Sequence, residues 1–177
     1  DISIVLTGNN ENLIAWYQEP PLIEPVIMGD WIGKVANGQS STNFYNIAFN
    51  PHAHGTHTEC LGHITHKHYS IQNCLKTFFF VSKLITVTPI KIKDDFVITL
   101  DEITKLIIEN ENIEALIIRT LPNDISKKNR KYSNTNPPYL QEDAAIYLKD
   151  IGIKHLLIDL PSVDKEKDNG KLLAQMF

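Results

Sequence analysis

Residues 141–158 read QEDAAIYLKDIGIKHLLI, and this stretch decides the fold. Its apolar residues recur at helical spacing over 141–151, and Gly152 follows where a glycine commonly ends a helix. Residues 153–158 then form a short apolar run, which is typical of a buried strand, and Pro161 ends that run. The pattern predicts an amphipathic helix followed by a buried β-strand.

The same order of elements occurs upstream. Thr99 or Asp101 is expected to cap a helix, because both side chains can accept a hydrogen bond from the first turn. The inward face of this helix is predicted to carry Ile103, Leu106, Ile107 and Asn110. Residues 115–118 form the next apolar run and are expected to be a buried strand. A helix followed by a buried strand, found twice, indicates an α/β fold.

The amino-terminal half has strand patterns without intervening long helices. Strands are predicted over residues 2–6, 31–35, 43–49, 78–87 and 89–92, with a short helix within 70–77. Residues 7–30 are expected to be mostly loop because Gly, Asn and Pro interrupt them. Together these elements predict a single α/β domain over residues 1–177, with a mixed β-sheet flanked by helices.

Composition excludes several classes of function. The chain has 177 residues, 42% hydrophobic and 21% charged, which is typical of a globular domain. A net charge of −4 gives no general electrostatic basis for binding nucleic acid or an anionic membrane. No apolar segment reaches the length of a membrane span. The basic residues within 127–131 are interpreted as a solvated loop. Two cysteines do not form a disulfide framework, and the predicted location is cytoplasmic.

A histidine-rich segment is the strongest functional signal. Six of the seven histidines fall between residues 52 and 68, and Glu59 is the one acidic residue among them. Imidazole and carboxylate together suit Zn, Mn, Fe or Ni. His57 and Glu59 are two residues apart, so an extended chain points them to the same side. Glu59 and His63 are four apart, which suits a turn around one ion. Residues 51–63, called the histidine segment below, are expected to lie on a loop or a bent strand end.

Residues 55–63, GTHTECLGH, resemble the signature of the cyclase family of metal-dependent hydrolases, which includes kynurenine formamidase (arylformamidase) and isatin hydrolase. That signature reads roughly H-x-G-T-H-x-D-x-P-x-H. Three further stretches are similar to family segments and occur in the same order: the opening residues 1–3 (DIS), residues 115–120 (ALIIRT) and residues 158–164 (IDLPSVD). The resemblance implies a kynurenine formamidase-like fold.

The resemblance assigns roles to four residues of the segment. It implies that His57 is a metal ligand and that Glu59 replaces the ligand aspartate of the family. His63 would be the general acid/base or an additional ligand. The family's first ligand histidine corresponds to Ala53. We expect His52 to take its place through a one-residue bulge, and His54 is the alternative.

Other residues carry weaker expectations. The resemblance suggests that Trp16 contacts substrate, although a half-buried loop aromatic is the ordinary explanation. Arg119 could orient a substrate carboxylate or take part in a structural ion pair. Asp159 and Asp164 are expected to organise the turn around Pro161.

The carboxyl-terminal end departs from the family pattern. Gln175 stands where a further family histidine is expected, and the family glutamate would follow Phe177. Residues 171–177 read as the start of a new helix. The sequence therefore predicts a chain truncated at its carboxyl terminus, and a second metal position is in doubt.

The resemblance implies hydrolysis of an amide or formamide bond in a small molecule, with N-formylkynurenine or a cyclic amide as candidate substrates. Zinc is the expected divalent metal and manganese the second choice. A homodimer is implied as well, with no nucleic acid or membrane partner. Two alternatives remain open: a catalytically impaired metal-binding relative, and a lactone or cyclic-amide hydrolase of the same family.

Overall fold

The computed structural model describes residues 3–107 and 112–177. Within them the elements are, in chain order, β1 Leu22–Pro25, β2 Ile27–Met28, β3 Trp31–Ile32, β4 Tyr45–Ala48, α1 Pro51–His54, α2 Ile71–Cys74, β5 Ser82–Val87, β6 Ile90–Ile92, β7 Asp95–Ile98, α3 Leu100–Leu106, β8 Ala115–Thr120, β9 Tyr139–Leu140, α4 Glu142–Asp150 and β10 His155–Ile158. Short 3-10 helices span Val35–Asn37, Leu61–His63 and Ile125–Lys128.

The chain forms two compact units. The first comprises Asp1–His57 and Ile125–Ser133, and the second comprises Thr58–Asp124 and Asn134–Phe177. A single domain over the whole chain stays a prediction.

The first unit contains two antiparallel strand pairs. Strand β1 pairs with β4, and β2 pairs with β3. Residues 7–30 are mostly loop, as predicted, but they also contain β1 and β2. Prolines at 20 and 21 indicated a loop, but pairing with the distant strand β4 satisfies the backbone of β1. Pro25 is the last residue of β1, a position where a proline costs no central ladder bond.

The predicted amino-terminal strand is not formed by its described part. Residues 3–6 belong to no strand, and Val5 is 79% exposed. The amide of Thr7 instead donates to the Asn12 side chain at 2.7 Å. Asp1 and Ile2 lie outside the described residues.

The second unit is built around a parallel sheet. Strand β8 lies between β10 and β5, and both pairings are parallel. A second sheet is mixed, since β7 pairs antiparallel with β6 and parallel with β9. Strand β8 is mostly buried and its residues are mostly apolar, as expected for a central strand of a parallel sheet. The predicted strands over 78–87 and 115–118 are confirmed in position, although the first begins later, at Ser82.

Helices α3 and α4 contribute to the hydrophobic core of this unit. The core consists of Ile85, Val87, Ile98, Ile103, Ile107, Leu116, Ile118, Leu140, Ala144, Ala145, Leu148 and Ala174. Helix α4 ends as predicted, because Gly152 follows its last turn with a φ of 87° that disfavours a side chain. The α/β class predicted from the sequence is confirmed, with the strands of the described residues divided among four small sheets.

Helix α3 begins at the predicted cap. The Thr99 hydroxyl accepts from the amide of Glu102 at 3.4 Å, and the Glu102 carboxylate accepts from the amide of Thr99 at 3.3 Å. Ile103 and Ile107 are buried as predicted, whereas Leu106 is 38% exposed. Asn110, placed on the same face by the sequence pattern, lies outside the described residues.

This reciprocal cap makes a stability prediction. Thr99→Ala should lower the free energy of unfolding by about 1 kcal/mol, because the amide of Glu102 loses its acceptor. Thr99→Ser keeps the hydroxyl and is the matched control. Urea denaturation followed by circular dichroism would measure both variants. Equal destabilisation by alanine and serine would show that the hydroxyl contributes nothing.

Candidate metal centre

The histidine segment begins with one helical turn rather than the predicted loop or bent strand. Helix α1 has Asn50 as its N-cap, and the Asn50 side chain accepts from the amide of His52 at 3.0 Å. Pro51 occupies the first helical position, where its missing N–H costs nothing. The Asn-Pro pair was the local signal for this turn. The turn fixes the backbone at His52.

A close backbone approach shapes the other end of the segment. A Cβ on Gly62 would clash with the carbonyl oxygen of Tyr69, so this position requires glycine. Gly62 is the central residue of the 3-10 turn Leu61–His63, which the amide of His63 closes by donating to Cys60 O at 2.9 Å. The backbone that carries His63 therefore lies against Tyr69, two residues before α2.

Three of the predicted site residues come together within this continuous stretch of chain. The ligand atoms of His52, Glu59 and His63 all lie within 4.8 Å of one another. The Nε2 atom of His63 is 3.6 Å from Oε1 of Glu59, and these side chains are 38% and 33% exposed. Tetrahedral zinc with bonds of about 2.0–2.1 Å separates its ligand atoms by roughly 3.4 Å. The 3.6 Å between His63 and Glu59 is close to that spacing.

His57 lies beside this group, although it is not one of the three. Its ring is 5.0 Å from the ring of His52, measured between centroids, in an edge-to-face arrangement. Its Nδ1 atom is 2.9 Å from the carbonyl oxygen of Gly55. Because a carbonyl only accepts, Nδ1 carries the proton in this contact. Histidines that bind metals commonly hold their second nitrogen in this way.

His54, the alternative first ligand, makes its hydrogen bonds elsewhere in the structure. This side chain is buried, with 3% exposure. Its Nδ1 accepts from the amide of Asn50 at 2.9 Å, and its Nε2 lies 2.8 Å from the carbonyl oxygen of Glu19. Both ring nitrogens are thus engaged with backbone, and neither is available to an ion. The geometry favours His52.

The donor set fits a divalent transition metal. Two imidazoles and a carboxylate with adjacent ligand atoms are the usual ligands of catalytic zinc and also suit manganese or iron. Three protein ligands leave a position for water or substrate. Within residues 3–107 and 112–177, this is the one group of three or more such side chains that could hold an ion.

Trp16 and Arg119 both take part in local hydrogen bonds of the fold. Trp16 is half-buried with a φ of 53°, and its carbonyl accepts from the Gln18 side chain at 3.1 Å. Its contact with substrate stays a prediction. Arg119 donates from Nε and Nη2 to the hydroxyl of Thr86, at 3.0 and 2.7 Å. This places Arg119 against the neighbouring strand β5.

The carboxylates of Asp159 and Asp164 accept from residues outside the turn around Pro161, while the amide of Asp164 donates to the Ser162 hydroxyl within it at 3.0 Å. Asp159 accepts from the amide and hydroxyl of Thr120, with distances from 2.8 Å. Asp164 accepts from the amides of Ala174 and Gln175, at 2.6 and 3.2 Å. Burial raises the pKa of the Asp164 carboxyl. These bonds hold residues 172–177 in a turn where the sequence pattern predicted the start of a helix.

The fold and the metal-binding segment together define an α/β protein with a candidate metal centre. The sequence model of the Cyclase family, described as "Putative cyclase", matches residues 1–165. The chain therefore belongs to the cyclase family, as the resemblance of residues 55–63 predicted. No curated protein matches the chain. Among the helices of the described residues, none has the length and apolar character needed to cross a membrane.

Proposed function

We propose that this protein is a metal-dependent hydrolase that cleaves an amide or formamide bond in a small molecule. The observation that supports the proposal most is the convergence of His52, Glu59 and His63 in a chain of the cyclase family. Membership of that family points to an enzyme, and the donor set points to a metal. The bond cleaved is inferred from the resemblance to kynurenine formamidase and isatin hydrolase.

The ligand set proposed is His52, His57 and Glu59. His52 is favoured because His54 uses both ring nitrogens elsewhere. His57 is favoured because the resemblance makes it a ligand and because the Gly55 carbonyl orients its ring through Nδ1, as is common for histidines that bind metals. Zinc is the preferred metal and manganese the second choice. When bound, the divalent cation supplies Lewis acidity, which polarises a carbonyl and makes water a stronger nucleophile near neutral pH.

His63 is proposed to move the proton. Its Nε2 lies 3.6 Å from the Glu59 carboxylate, so it borders the proposed ligand set. With 38% of its side chain exposed, it can also reach a substrate that enters from solvent. Nε2 would accept a proton from the attacking water and return it to the leaving nitrogen. A positioned acid/base of this kind is worth about 10²–10⁴-fold in rate.

Gln175 favours one alternative within the family. It stands where the family pattern has a further histidine, and its side-chain amide donates to the hydroxyl of Ser162 at 3.3 Å. An amide is a poor replacement for an imidazole ligand. The position therefore supports a single-metal site or a catalytically impaired relative. Opening of a lactone or a cyclic amide remains the alternative reaction, and the homodimer and the cytoplasmic location stay predictions.

Metal content and hydrolysis on one sample would test the proposal. Protein purified without an affinity tag should contain about one zinc or manganese per chain by elemental mass spectrometry. The same sample should hydrolyse an arylformamide, and dialysis against a chelator should abolish turnover until the metal is restored. Metal without turnover on formamides, cyclic amides or lactones would indicate the impaired relative. Absence of bound metal after incubation with zinc would contradict the proposal.

A further inference from the structure

A buried polar network lies behind helix α1. Asn12 and His54 are two of the few polar side chains of the described residues that are nearly inaccessible to solvent, at 1% and 3% exposure. Burying such groups is costly unless their hydrogen bonds are made. Here they are made, and the partners belong to two stretches: residues 7–19 and residues 50–54. The network therefore joins the amino-terminal loop to the helix that carries His52.

His54 contributes both of its ring nitrogens to this network. The amide of Asn50 can only donate, so Nδ1 of His54 accepts at 2.9 Å. The carbonyl of Glu19 can only accept, so Nε2 carries the proton and donates at 2.8 Å. These two partners fix the neutral Nε2–H form of the ring. The bond to Asn50 also reaches the residue whose side chain caps the amide of His52.

Asn12 contributes from the opposite side. Its Nδ2 donates to the carbonyl of His54 at 2.8 Å and also to the carbonyl of Leu13. Its Oδ1 accepts from the amide of Thr7 at 2.7 Å. Lys131 donates to the backbone carbonyl of Asn12, and burial lowers the pKa of this lysine. Lys131 was predicted to belong to a solvated loop, but its ammonium group takes part in holding the Asn12 backbone.

A backbone hydrogen bond also joins the amino-terminal loop to helix α1. The amide of Ala15 donates to the carbonyl of Ala53 at 3.0 Å, and Ala53 has no exposed surface. Ala53 and His54 directly follow His52 in a helix of four residues. So short a helix has little stability of its own. Its orientation, and with it the direction of the His52 side chain, therefore depends on the bonds from residues 12–19.

We propose that His54 and Asn12 are positioning residues that set the orientation of His52 for metal binding, while holding no metal themselves. The inference rests on the proposed function, because it assigns these residues to the same metal centre. It predicts that metal affinity depends on a network two residues away from the ligand. Losses of 10–100-fold in affinity are typical when the partners that orient a metal ligand are removed.

The first test uses the unaltered protein. Long-range proton–nitrogen correlation spectra would follow the imidazole nitrogens during a titration with zinc chloride. His54 should keep the pattern of the Nε2–H form throughout, while one nitrogen of His52 shifts on zinc binding. A zinc-dependent shift of a His54 nitrogen to a ligand position would overturn the inference. No fold-disrupting variant is involved in this measurement.

The second test measures zinc affinity by competition with a chromophoric chelator. Asn12→Ala should raise the dissociation constant for zinc by about 10–100-fold. His54→Phe, which keeps the ring but loses both ring bonds, should act in the same direction. Asn10→Ala is the matched control, since Asn10 is exposed and offers only its backbone carbonyl to Lys131. The control should bind zinc like the unaltered protein.

Thermal unfolding of the metal-free variants separates positioning from general stability. A purely structural role would lower the unfolding midpoint and leave the zinc affinity unchanged at temperatures where the variant is folded. That result would overturn the inference and leave the proposed function intact. Failure of the unaltered protein to bind zinc would remove the proposed function itself, and the positioning role with it.

Discussion

His63→Ala is expected to lower kcat for amide hydrolysis by about 10²–10⁴-fold while leaving most of the bound metal in place. The proposed ligands His52, His57 and Glu59 remain in this variant. What is lost is the imidazole whose Nε2 lies 3.6 Å from the Glu59 carboxylate. Without it, the attacking water and the leaving nitrogen have no positioned proton carrier. Turnover and metal content should therefore separate.

His68→Ala provides the matched control for this experiment. His68 belongs to the same histidine-rich stretch but is exposed and is not one of the three clustered residues. Its replacement should change neither kcat nor metal content. Steady-state kinetics and elemental mass spectrometry on the same preparations would measure both quantities. Loss of metal from His63→Ala would show that His63 is a ligand, which its closeness to His52 and Glu59 also allows.

The second unit was the more predictable part of the fold, because its elements are determined by local patterns. Residues 141–158 gave α4, the glycine after it and β10 in the right order. Thr99 or Asp101 was predicted as the cap of α3, and Thr99 takes that role with Glu102, three residues away, as its partner. In each case the residues that decide the structure are neighbours in sequence. Helical periodicity and capping are local properties.

The first unit was predicted less well, since its structure depends on distant partners. Strand β1 exists because residues 45–48 pair with it, and no pattern within 22–25 indicates that partner. The described residues 3–6 have the composition of a strand but belong to none. Strand propensity says which side chains pack well on a half-buried pleated surface, and it does not specify which strand will pair with the segment. Short strands therefore need tertiary information.

In the candidate site, too, local features were predictable and distant contacts were not. Spacing and resemblance selected His52, His57, Glu59 and His63. The structure brings together the ligand atoms of three of them, His52, Glu59 and His63. The sequence could not show that both ring nitrogens of His54 are hydrogen-bonded to the backbone of Asn50 and Glu19, because Glu19 is 35 residues away. Nor could it show the role of Asn12, whose contact with His54 spans 42 residues. Ligand types were predictable, whereas the buried partners that orient them were not.

His57→Ala is the variant that tests the proposed ligand set directly. Removing one of three ligands should weaken zinc binding by more than about 100-fold, beyond the usual effect of losing a partner that only orients a ligand. His57 is exposed, and its Nδ1 lies 2.9 Å from the carbonyl oxygen of Gly55, two residues away. Its replacement should therefore affect the metal-free fold little. Hydrolysis should fall together with metal content, in contrast to His63→Ala.

Thermal unfolding with and without zinc gives a readout that does not depend on catalysis. A ligand that binds only the folded state at 100 times its dissociation constant stabilises that state by about 2.7 kcal/mol. The unaltered protein and His68→Ala should show this stabilisation, and His57→Ala should show almost none at the same zinc concentration. Full metal content in His57→Ala would contradict the ligand assignment. Because His52 and Glu59 belong to the clustered group in any case, that result would make His63 the third ligand and leave its proton-transfer role without support.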